Sequence, residues 1–348
     1  MDTVTINTKH ELARHGEAIE TLFLECFGDR LSLALWHWAY LDNPHGAPWV
    51  SLCYDSTRLV GHYAMIPLPL TSSQGRLNSF LSMTTMVAAS HRQHGLFVKL
   101  GQATYDAAKA AGAPRLVATT GGALAERARE DGVPVIPLPG GFQPRAAVGY
   151  SLVTALEAAA LCGAAPSVRD EIERAAALAA GLAAEWGPDG DEAGDAKRIA
   201  RALHGTIPVF VGAGMTASVA YRWKTQVNEN AELPAFASKL PEHDHNEVVG
   251  WGGADGRLGA VFLDDPDGDV RAFRRMEVTA EIAAGGAAVV ERVTPRGDSR
   301  LERLVSLVLL GDLVSLYLAV LRGVDPVNVQ AIDTLKRRLA AYSPRGSR

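Results

Sequence analysis

An acidic residue and a histidine lie close together in one stretch of the chain, with two prolines between them. Glu229 stands between two asparagines, and His245 follows sixteen residues later, directly before Asn246 and Glu247. A carboxylate can remove a proton next to a carbonyl group, and an imidazole can exchange protons near neutral pH. The pair therefore suggests acid–base chemistry, although a solvated glutamate in a turn would give the same pattern.

A metal site is the alternative for this stretch. His243 and His245 alternate and have acidic neighbours, and alternating histidines can bind one ion from a strand. No third ligand follows at a recognisable spacing, so we expect no metal here. An acid–base role for His245 in a polar loop needs fewer assumptions.

The helix predicted to carry Glu229 near its far end begins at a glycine turn. The segment "VFVGAGMTASVAYRWK" places Gly212 and Gly214 between a predicted buried strand and the start of that helix. Free backbone N–H groups at a helix start suit an anion. A tight strand-to-helix turn needs the same glycines, so both interpretations stay open.

Bulk properties exclude several classes of protein. The chain has 348 residues, enough for two domains, and a net charge of −5, which offers no basic face to nucleic acid. Cys26, Cys53 and Cys162 are far apart and indicate free thiols in a reducing cytosol. The apolar segment "LVSLVLLGDLVSLYLAVL" contains Gly311 and Asp312, which favours a buried helix over a membrane span. We expect a cytoplasmic protein with no nucleic-acid and no membrane partner.

The character of the chain changes near residue 105. Before it, residues 56–72 and 76–90 predict two neighbouring strands, and residues 95–112 predict an amphipathic helix closed by Gly112. After it, strands, glycine loops and helices alternate, with one long Ala-rich helical stretch over about 151–185. That alternation predicts an α/β fold with a parallel sheet and helices on both faces.

Four segments of the second part resemble the bifunctional phosphoglucose/phosphomannose isomerase family, in that family's order. They are "VATTGGALAERAREDGVPVIPLPGGFQPRAAVGY", "VAYRWKTQVNENAELPAF", "HDHNEVVGW" and "SLVLLGDLVSLYLAVLRGVDPVNVQAIDTLKRRL". The resemblance covers about residues 106–342 and implies sugar-isomerase (SIS) domains. It also implies isomerisation of glucose 6-phosphate and mannose 6-phosphate to fructose 6-phosphate, with neither a metal nor another cofactor.

The same resemblance assigns four residues. Glu229 matches the base that moves a proton between C1 and C2 through an enediol, and His245 matches the ring-opening group given to the neighbouring subunit of a homodimer. Arg145, in "GGFQPR", would stabilise the enediolate charge, as a fixed guanidinium can. Lys336, in "IDTLKRRL", would assist ring opening or proton movement.

The phosphate anchor of that family has no counterpart here. The family holds the sugar phosphate with a "GMGGS"-like turn and a "SYSGNTEE"-like loop in its N-terminal half, and residues 1–112 contain neither. Phosphosugars owe much of their positioning to such loops. We therefore expect weak or absent turnover, and a non-catalytic SIS protein that binds sugar phosphate or dimerises is a further alternative.

Residues 1–105 resemble the front part of a GNAT-type N-acetyltransferase. The segments "WHWAYLDNPHGAP", "RLVGHYAMIPLPL" and "LSMTTMVAASHRQHGLFVKL" carry the likeness. Arg92 and Gly95 match the family's R-x-x-G, whose backbone amides hold the acyl-CoA pyrophosphate, and Phe97 departs from the next small residue. The alternative function is therefore an N-acyltransferase or acyl-CoA-binding module, with acetyl-CoA as cofactor.

Together these features predict a SIS-type α/β fold behind a partial GNAT-like α+β segment. We expect the boundaries 1–105 for the GNAT-like segment, 106–152 for a truncated N-terminal SIS domain, 153–342 for a complete C-terminal SIS domain and 343–348 for a tail. The two strands within 106–152 are expected to pack on the GNAT-like sheet. Natural recombination, a gene-model error and an engineered chimera would each produce this order.

Overall fold

A computed structural model describes residues 1–28, 30–72, 75–77, 80–112, 115–161, 163, 165–328 and 330–340. For residues 70–72, 75–77, 81, 82, 93, 94, 336, 339 and 340 the description covers the backbone alone. The chain forms two compact units, and the boundary between them follows Val168. Cys26 and Cys53 are free thiols, as predicted, and Cys162 lies outside the described residues.

The first unit contains a four-stranded antiparallel sheet in the order β1-β2-β3-β6 and two smaller two-stranded sheets, β4-β5 and β7-β8. Its helices and strands are β1 (Asp2–Ile6), α1 (Lys9–Ala13), α2 (Gly16–Phe27), α3 (Leu33–Trp36), β2 (Trp49–Asp55), β3 (Arg58–Pro67), β4 (Leu70–Ser72), β5 (Gly75–Leu77), β6 (Phe80–Val87), α4 (Leu96–Ala110), β7 (Val117–Thr119), α5 (Ala123–Glu130), β8 (Val135–Pro137) and α6 (Val148–Leu161).

The two strands predicted before the first long helix are confirmed. β3 and β6 pair antiparallel, and α4 ends where Gly112, at φ +67°, donates its N–H to the carbonyl of Lys109. Alternating apolar residues such as Leu52 and Val60 are fully buried, and Leu96 and Leu100 of α4 pack in the same core. This sheet and helix bring the end of β6 next to the start of α4.

A β-bulge interrupts the pairing of β6, the last strand of this sheet, with β3. The pairing of β3 with β6 shifts register between His62 and Ala64, and Thr84 on the bulged strand has φ +53°. His62 is 1% exposed and donates its Nδ1–H to the Thr84 carbonyl at 2.7 Å. Burial lowers the pKa of His62 to about 4.

The strands β7 and β8 form a parallel pair of their own, so the expectation that they pack on the GNAT-like sheet is wrong. With α5 they enclose a small core of Val117, Ala128 and Val133, against which Tyr105 of α4 packs. Asp131 receives the side chains of Lys109, Arg115 and Arg127, which joins this piece to α4 by charge.

The second unit is a three-layer α/β domain around a parallel sheet in the order β10-β9-β11-β12. Its helices and strands are α7 (Arg169–Trp186), α8 (Asp195–Leu203), β9 (Ile207–Ala213), α9 (Met215–Asn230), β10 (Phe236–Leu240), α10 (Glu247–Gly250), β11 (Leu258–Leu263), α11 (Val270–Ala283), β12 (Val289–Val293), α12 (Arg300–Arg322) and α13 (Gln330–Ala340).

The Ala-rich stretch expected as one helix over about 151–185 is two helices, α6 and α7. Gly163 has φ +72°, and Pro166 follows it before α7 begins. A left-handed glycine and a proline each stop a helix, so their succession divides the stretch. The boundary between the two units lies at this break.

Helix α12 is long and apolar enough, by length and composition alone, to cross a membrane. In the structure its face of Leu307, Leu310, Val314 and Leu318 lies in the core of the second unit. Gly311 is buried on the same face, against the indole of Trp223 from α9. The helix thus packs as the sequence predicts, as a buried core helix.

Candidate functional site

The helix that carries Glu229 begins at the predicted glycine turn. Gly214 caps α9 with φ +53°, and a β-carbon on Gly212 would collide with the backbone of Thr216. The Thr216 hydroxyl accepts the N–H of Ala213 at 2.9 Å and donates to the Leu263 carbonyl at 2.9 Å. These contacts fix the helix start against the ends of β9 and β11.

Glu229 lies one residue before the end of α9 and is half-buried. Val227 and Asn230 on either side of it are buried, the first in the apolar core. The Glu229 side chain is therefore partly exposed, beside residues of α9 that pack in the core. This position suits a base because the helix backbone is fixed by packing while the side chain keeps access to solvent.

A ladder of polar contacts runs along the interface towards Glu229. Arg222 binds both carboxylate oxygens of Asp312, at 3.0 and 2.7 Å, and Gln226 donates to the same carboxylate at 3.0 Å. One turn later Asn230 donates to the Ser315 hydroxyl at 2.8 Å. Burial raises the pKa of Asp312, and the Arg222 guanidinium opposes that shift. Sequence reasoning missed this ladder, because its partners are 85 to 90 residues apart.

His245 is exposed in a short 3-10 turn, Glu242–His245, that follows β10. Its neighbour His243 is the buried one, at 1% exposure, and accepts the indole N–H of Trp251 on Nε2 at 3.1 Å. The Glu247 carboxylate lies 3.3 Å from His243 Nδ1 without meeting hydrogen-bond geometry. His243 is thus a structural residue, and His245 is the one available to a ligand.

Glu229 and His245 do not lie close together within one chain. Helix α9 leaves the C-terminal end of β9 and returns to the start of β10, which runs parallel to β9. Glu229 therefore lies at the N-terminal edge of the sheet, whereas His245 follows the C-terminal end of β10. A five-residue strand separates the two edges by about 16 Å.

The other two residues of the isomerase assignment lie elsewhere. Arg145 belongs to the first unit, in a 3-10 turn Pro144–Ala147, and is half-buried. Lys336 lies on α13, and its side chain is outside the described residues. Within the described part of the chain, no group of three or more His, Cys, Asp or Glu side chains is arranged to hold a metal ion.

The segment proposed as the acyl-CoA loop lies between β6 and α4. A 3-10 turn, Ala89–His94, follows β6, and Gly95 at φ +65° caps α4. Gly95 has no side chain to occupy the first N–H groups of α4, and Arg92 is exposed with its Nε donating to the Val87 carbonyl at 3.3 Å. Phe97 is 60% exposed and contacts Tyr63 edge to face.

Comparison with known families agrees with both resemblances. Residues 192–339 match the bacterial phospho-glucose isomerase C-terminal SIS domain, and residues 14–120 match the acetyltransferase (GNAT) domain. The fold of the chain is similar to that of a hypothetical protein from Thermus thermophilus, with a TM-score of 0.53 at 15% identity, over 73% of this chain and 69% of that one.

Curated relatives show the family to which the chain belongs. The bifunctional phosphoglucose/phosphomannose isomerase of Caldicellulosiruptor bescii is 38% identical over 269 residues, which cover 76% of this chain and 79% of the relative. That of Aquifex aeolicus is 36% identical, over 66% of this chain and 68% of the relative. A D-glucosamine-6-phosphate 4-epimerase of Sulfolobus acidocaldarius is 27% identical over 64% of this chain and 66% of its own length. The chain, with its GNAT domain in front, belongs to the bifunctional phosphoglucose/phosphomannose isomerase family.

Proposed function

We propose that this chain isomerises hexose 6-phosphates, interconverting glucose 6-phosphate or mannose 6-phosphate with fructose 6-phosphate. The observation that carries the proposal is Glu229, a half-buried carboxylate on the last turn of a rigidly packed helix, in a chain of the isomerase family. Glu229 removes the proton from C1 or C2 of the open-chain sugar and returns it to the other carbon. The enediolate formed between these steps carries negative charge, and the Arg145 guanidinium stabilises it.

The sugar ring must open before that proton is accessible. His245 serves this step in the neighbouring subunit of a homodimer, which fits its exposure and its place at the sheet edge opposite Glu229. Lys336 assists ring opening or proton movement. The reaction needs no metal or other cofactor, because each step moves protons between side chains and substrate oxygens or carbons.

Weak turnover is part of the proposal. The four-stranded sheet that precedes β7 is antiparallel and of GNAT type, and β7 and β8 form only a short parallel pair. Among the described residues before α4, no Gly-rich strand-to-helix turn offers the phosphate a cradle like the one at Gly212. A substrate without that anchor spends less time against Glu229, which lowers the rate.

Proton exchange tests the chemistry without requiring full turnover. Fructose 6-phosphate is incubated with the chain in D2O, and loss of the C1 proton signal is followed by NMR. We expect slow exchange that Glu229→Gln reduces by about 10²- to 10⁴-fold, the usual contribution of a general base. Exchange that Glu229→Gln leaves unchanged would contradict the assignment, and turnover as fast as in complete relatives would contradict the role given to the missing anchor.

The second function that we propose is binding of acetyl-CoA by the first unit. The match of residues 14–120 to the GNAT domain and the left-handed Gly95 at the start of α4 favour binding of acetyl-CoA, with Arg92 beside its phosphates. Calorimetry with acetyl-CoA tests it: we expect millimolar or tighter binding that Arg92→Ala weakens. Absence of heat at millimolar ligand would exclude this function while leaving the isomerase proposal untouched.

A further inference from the structure

The backbone carbonyls that follow α9, those of residues 231–233, all accept hydrogen bonds from side chains. Arg322, at the end of α12, donates from Nε to the first of them at 2.7 Å and from Nη2 to the second at 3.2 Å. Asn228 donates from Nδ2 to the third at 2.9 Å. Carbonyls at the end of a helix have no partner within the helix, and a cation there is favourable. The chain directly after Glu229 is therefore held on both sides.

Glu232, within this segment, has a backbone conformation that a β-carbon disfavours. Its φ is +48°, in the left-handed region where glycine is the usual residue. Such a conformation persists where surrounding contacts determine it. The Glu232 side chain is exposed, and its Oε1 accepts a hydrogen bond from Asn328 Nδ2 at 3.0 Å. Burial thus gives no reason for a glutamate at this position, whereas the hydrogen bond to Asn328 does.

Asn328 connects the same segment to the start of α13. Its Oδ1 accepts the N–H of Gln330, the first residue of that helix, at 2.9 Å, while its Nδ2 donates to Glu232. The opposite orientation of the amide would place its NH2 group against the Gln330 N–H, so the two bonds together fix one orientation. One side chain thereby joins the segment after Glu229 to the helix that carries Lys336.

We propose that Glu232 and Asn328 are positioning residues for the isomerase reaction. Their hydrogen bond fixes the end of α9, with the base Glu229, relative to the start of α13, the helix of Lys336. The inference rests on the isomerase function proposed above. Neither residue moves a proton of the substrate; the pair keeps two groups from helices distant in the sequence in one arrangement. A small displacement of a reacting group lowers the rate of a reaction strongly.

Glu232→Gly separates positioning from stability. Glycine adopts the left-handed conformation without strain, so the free energy of unfolding should stay the same or rise. Exchange of the C1 proton of fructose 6-phosphate in D2O, measured over a range of substrate concentrations, should become about ten-fold slower at saturation. The concentration that gives half the maximal rate should change by less than about two-fold, because the pair binds no part of the substrate. Glu232→Gln keeps an oxygen that accepts from Asn328 and should restore the rate.

Asp255→Gly is the matched control. Asp255 is an exposed acidic residue with φ +49°, in the turn before β11, where it pairs with Arg257 at 3.7 Å. The control relieves the same backbone strain away from α9 and α13, and should leave the exchange rate unchanged. Asn328→Ala should slow exchange as much as Glu232→Gly does. The double variant should lose no more than either single one, because both break one hydrogen bond.

Backbone amide resonances of the full, isotope-labelled chain give a second measurement that needs no turnover. Glu232→Gly should shift the amides of Gln330 and Ala331 in α13, and Asp255→Gly should leave them in place. An unchanged exchange rate in Glu232→Gly, no rescue by Glu232→Gln, or unshifted amides in α13 would each overturn the proposal. Absence of exchange in the unmodified chain would instead overturn the isomerase function, and the amide shifts would still decide whether the pair joins the two helices.

Discussion

Arg222 and Asp312 form a bidentate ion pair between α9 and α12, with N–O distances of 3.0 and 2.7 Å. Asp312 lies in the apolar helix α12, and Gln226 and the Ser315–Asn230 hydrogen bond extend the contact to the residue next to Glu229. Burial raises the pKa of Asp312, and the Arg222 guanidinium opposes that shift. The charged form of the carboxylate is therefore stabilised by Arg222 rather than by water. The ladder therefore fixes the last turn of α9 laterally against α12.

Asp312→Ala should destabilise the second unit by about 2 kcal/mol, because Arg222 and Gln226 lose their shared acceptor in a half-buried interface. Urea unfolding followed by circular dichroism measures the change. Glu281→Ala, which removes an exposed carboxylate on α11, is the control and should alter the free energy of unfolding by less than about 0.5 kcal/mol. Equal effects of the two variants would show that the ladder contributes nothing to stability.

Gly311→Ala tests the close approach of α12 to α9. A β-carbon at this position would collide with the indole of Trp223, whose Nε1 donates to the Leu307 carbonyl at 2.8 Å. We expect a loss of about 1–3 kcal/mol in the free energy of unfolding, as in other overpacked cores. Gly181→Ala in α7, with open space around its α-carbon, should instead be neutral or stabilise by up to about 1 kcal/mol. A stabilising Gly311→Ala would contradict the packing.

The elements around the site were predictable from sequence, because their signals are local. The glycine turn at Gly212 and Gly214, the helix after it and the closing Gly112 each depend on backbone geometry within a few residues. The break between α6 and α7 was equally local, in Gly163 and Pro166, but the alanine content of the surrounding residues concealed it.

Pairings over long distances in the chain were not predictable. Asp312 could be recognised as an interruption of an apolar helix, but nothing near it indicates Arg222 as its partner. The placement of Glu229 and His245 at opposite edges follows from the parallel pairing of β9 and β10, which sixteen residues of spacing cannot reveal. The packing of β7 and β8 with α5 and Tyr105, rather than on the GNAT-like sheet, was missed for the same reason, since sequence does not show contacts between distant segments.

His62 predicts a pH dependence of stability in the first unit. Its pKa is about 4 in the folded chain and 6.5 in an ordinary environment, so the unfolded chain binds more protons between these values. Stability is therefore complete above pH 6.5 and falls as the pH drops towards 4, by on the order of 3 kcal/mol. Urea unfolding at half-unit pH steps measures the slope.

His62→Gln should flatten this slope, because glutamine has no proton to gain. His10→Gln, which changes an exposed histidine of α1, should keep it. If His62→Gln unfolds the unit, the unmodified chain still tests the prediction. A free energy of unfolding that stays constant between pH 4 and 6.5 is incompatible with a buried neutral imidazole.

Asp131 should stabilise the packing of the segment from β7 to β8, residues 117–137, against α4. Its carboxylate is 7% exposed and receives Lys109 from α4, Arg115 from the segment before β7 and Arg127 from α5. Hydrogen bonding to Lys109 lowers the pKa of Asp131, so the carboxylate stays charged in the folded chain. Asp131→Asn should speed amide exchange in β7 and β8 while β2 and β3 keep their protection, as measured by hydrogen–deuterium exchange.

Asp106→Asn removes a half-exposed carboxylate that pairs with the same Arg127 and should leave β7 and β8 protected. Unchanged exchange in Asp131→Asn would mean that the small apolar core of Val117, Ala128 and Val133 alone holds the piece.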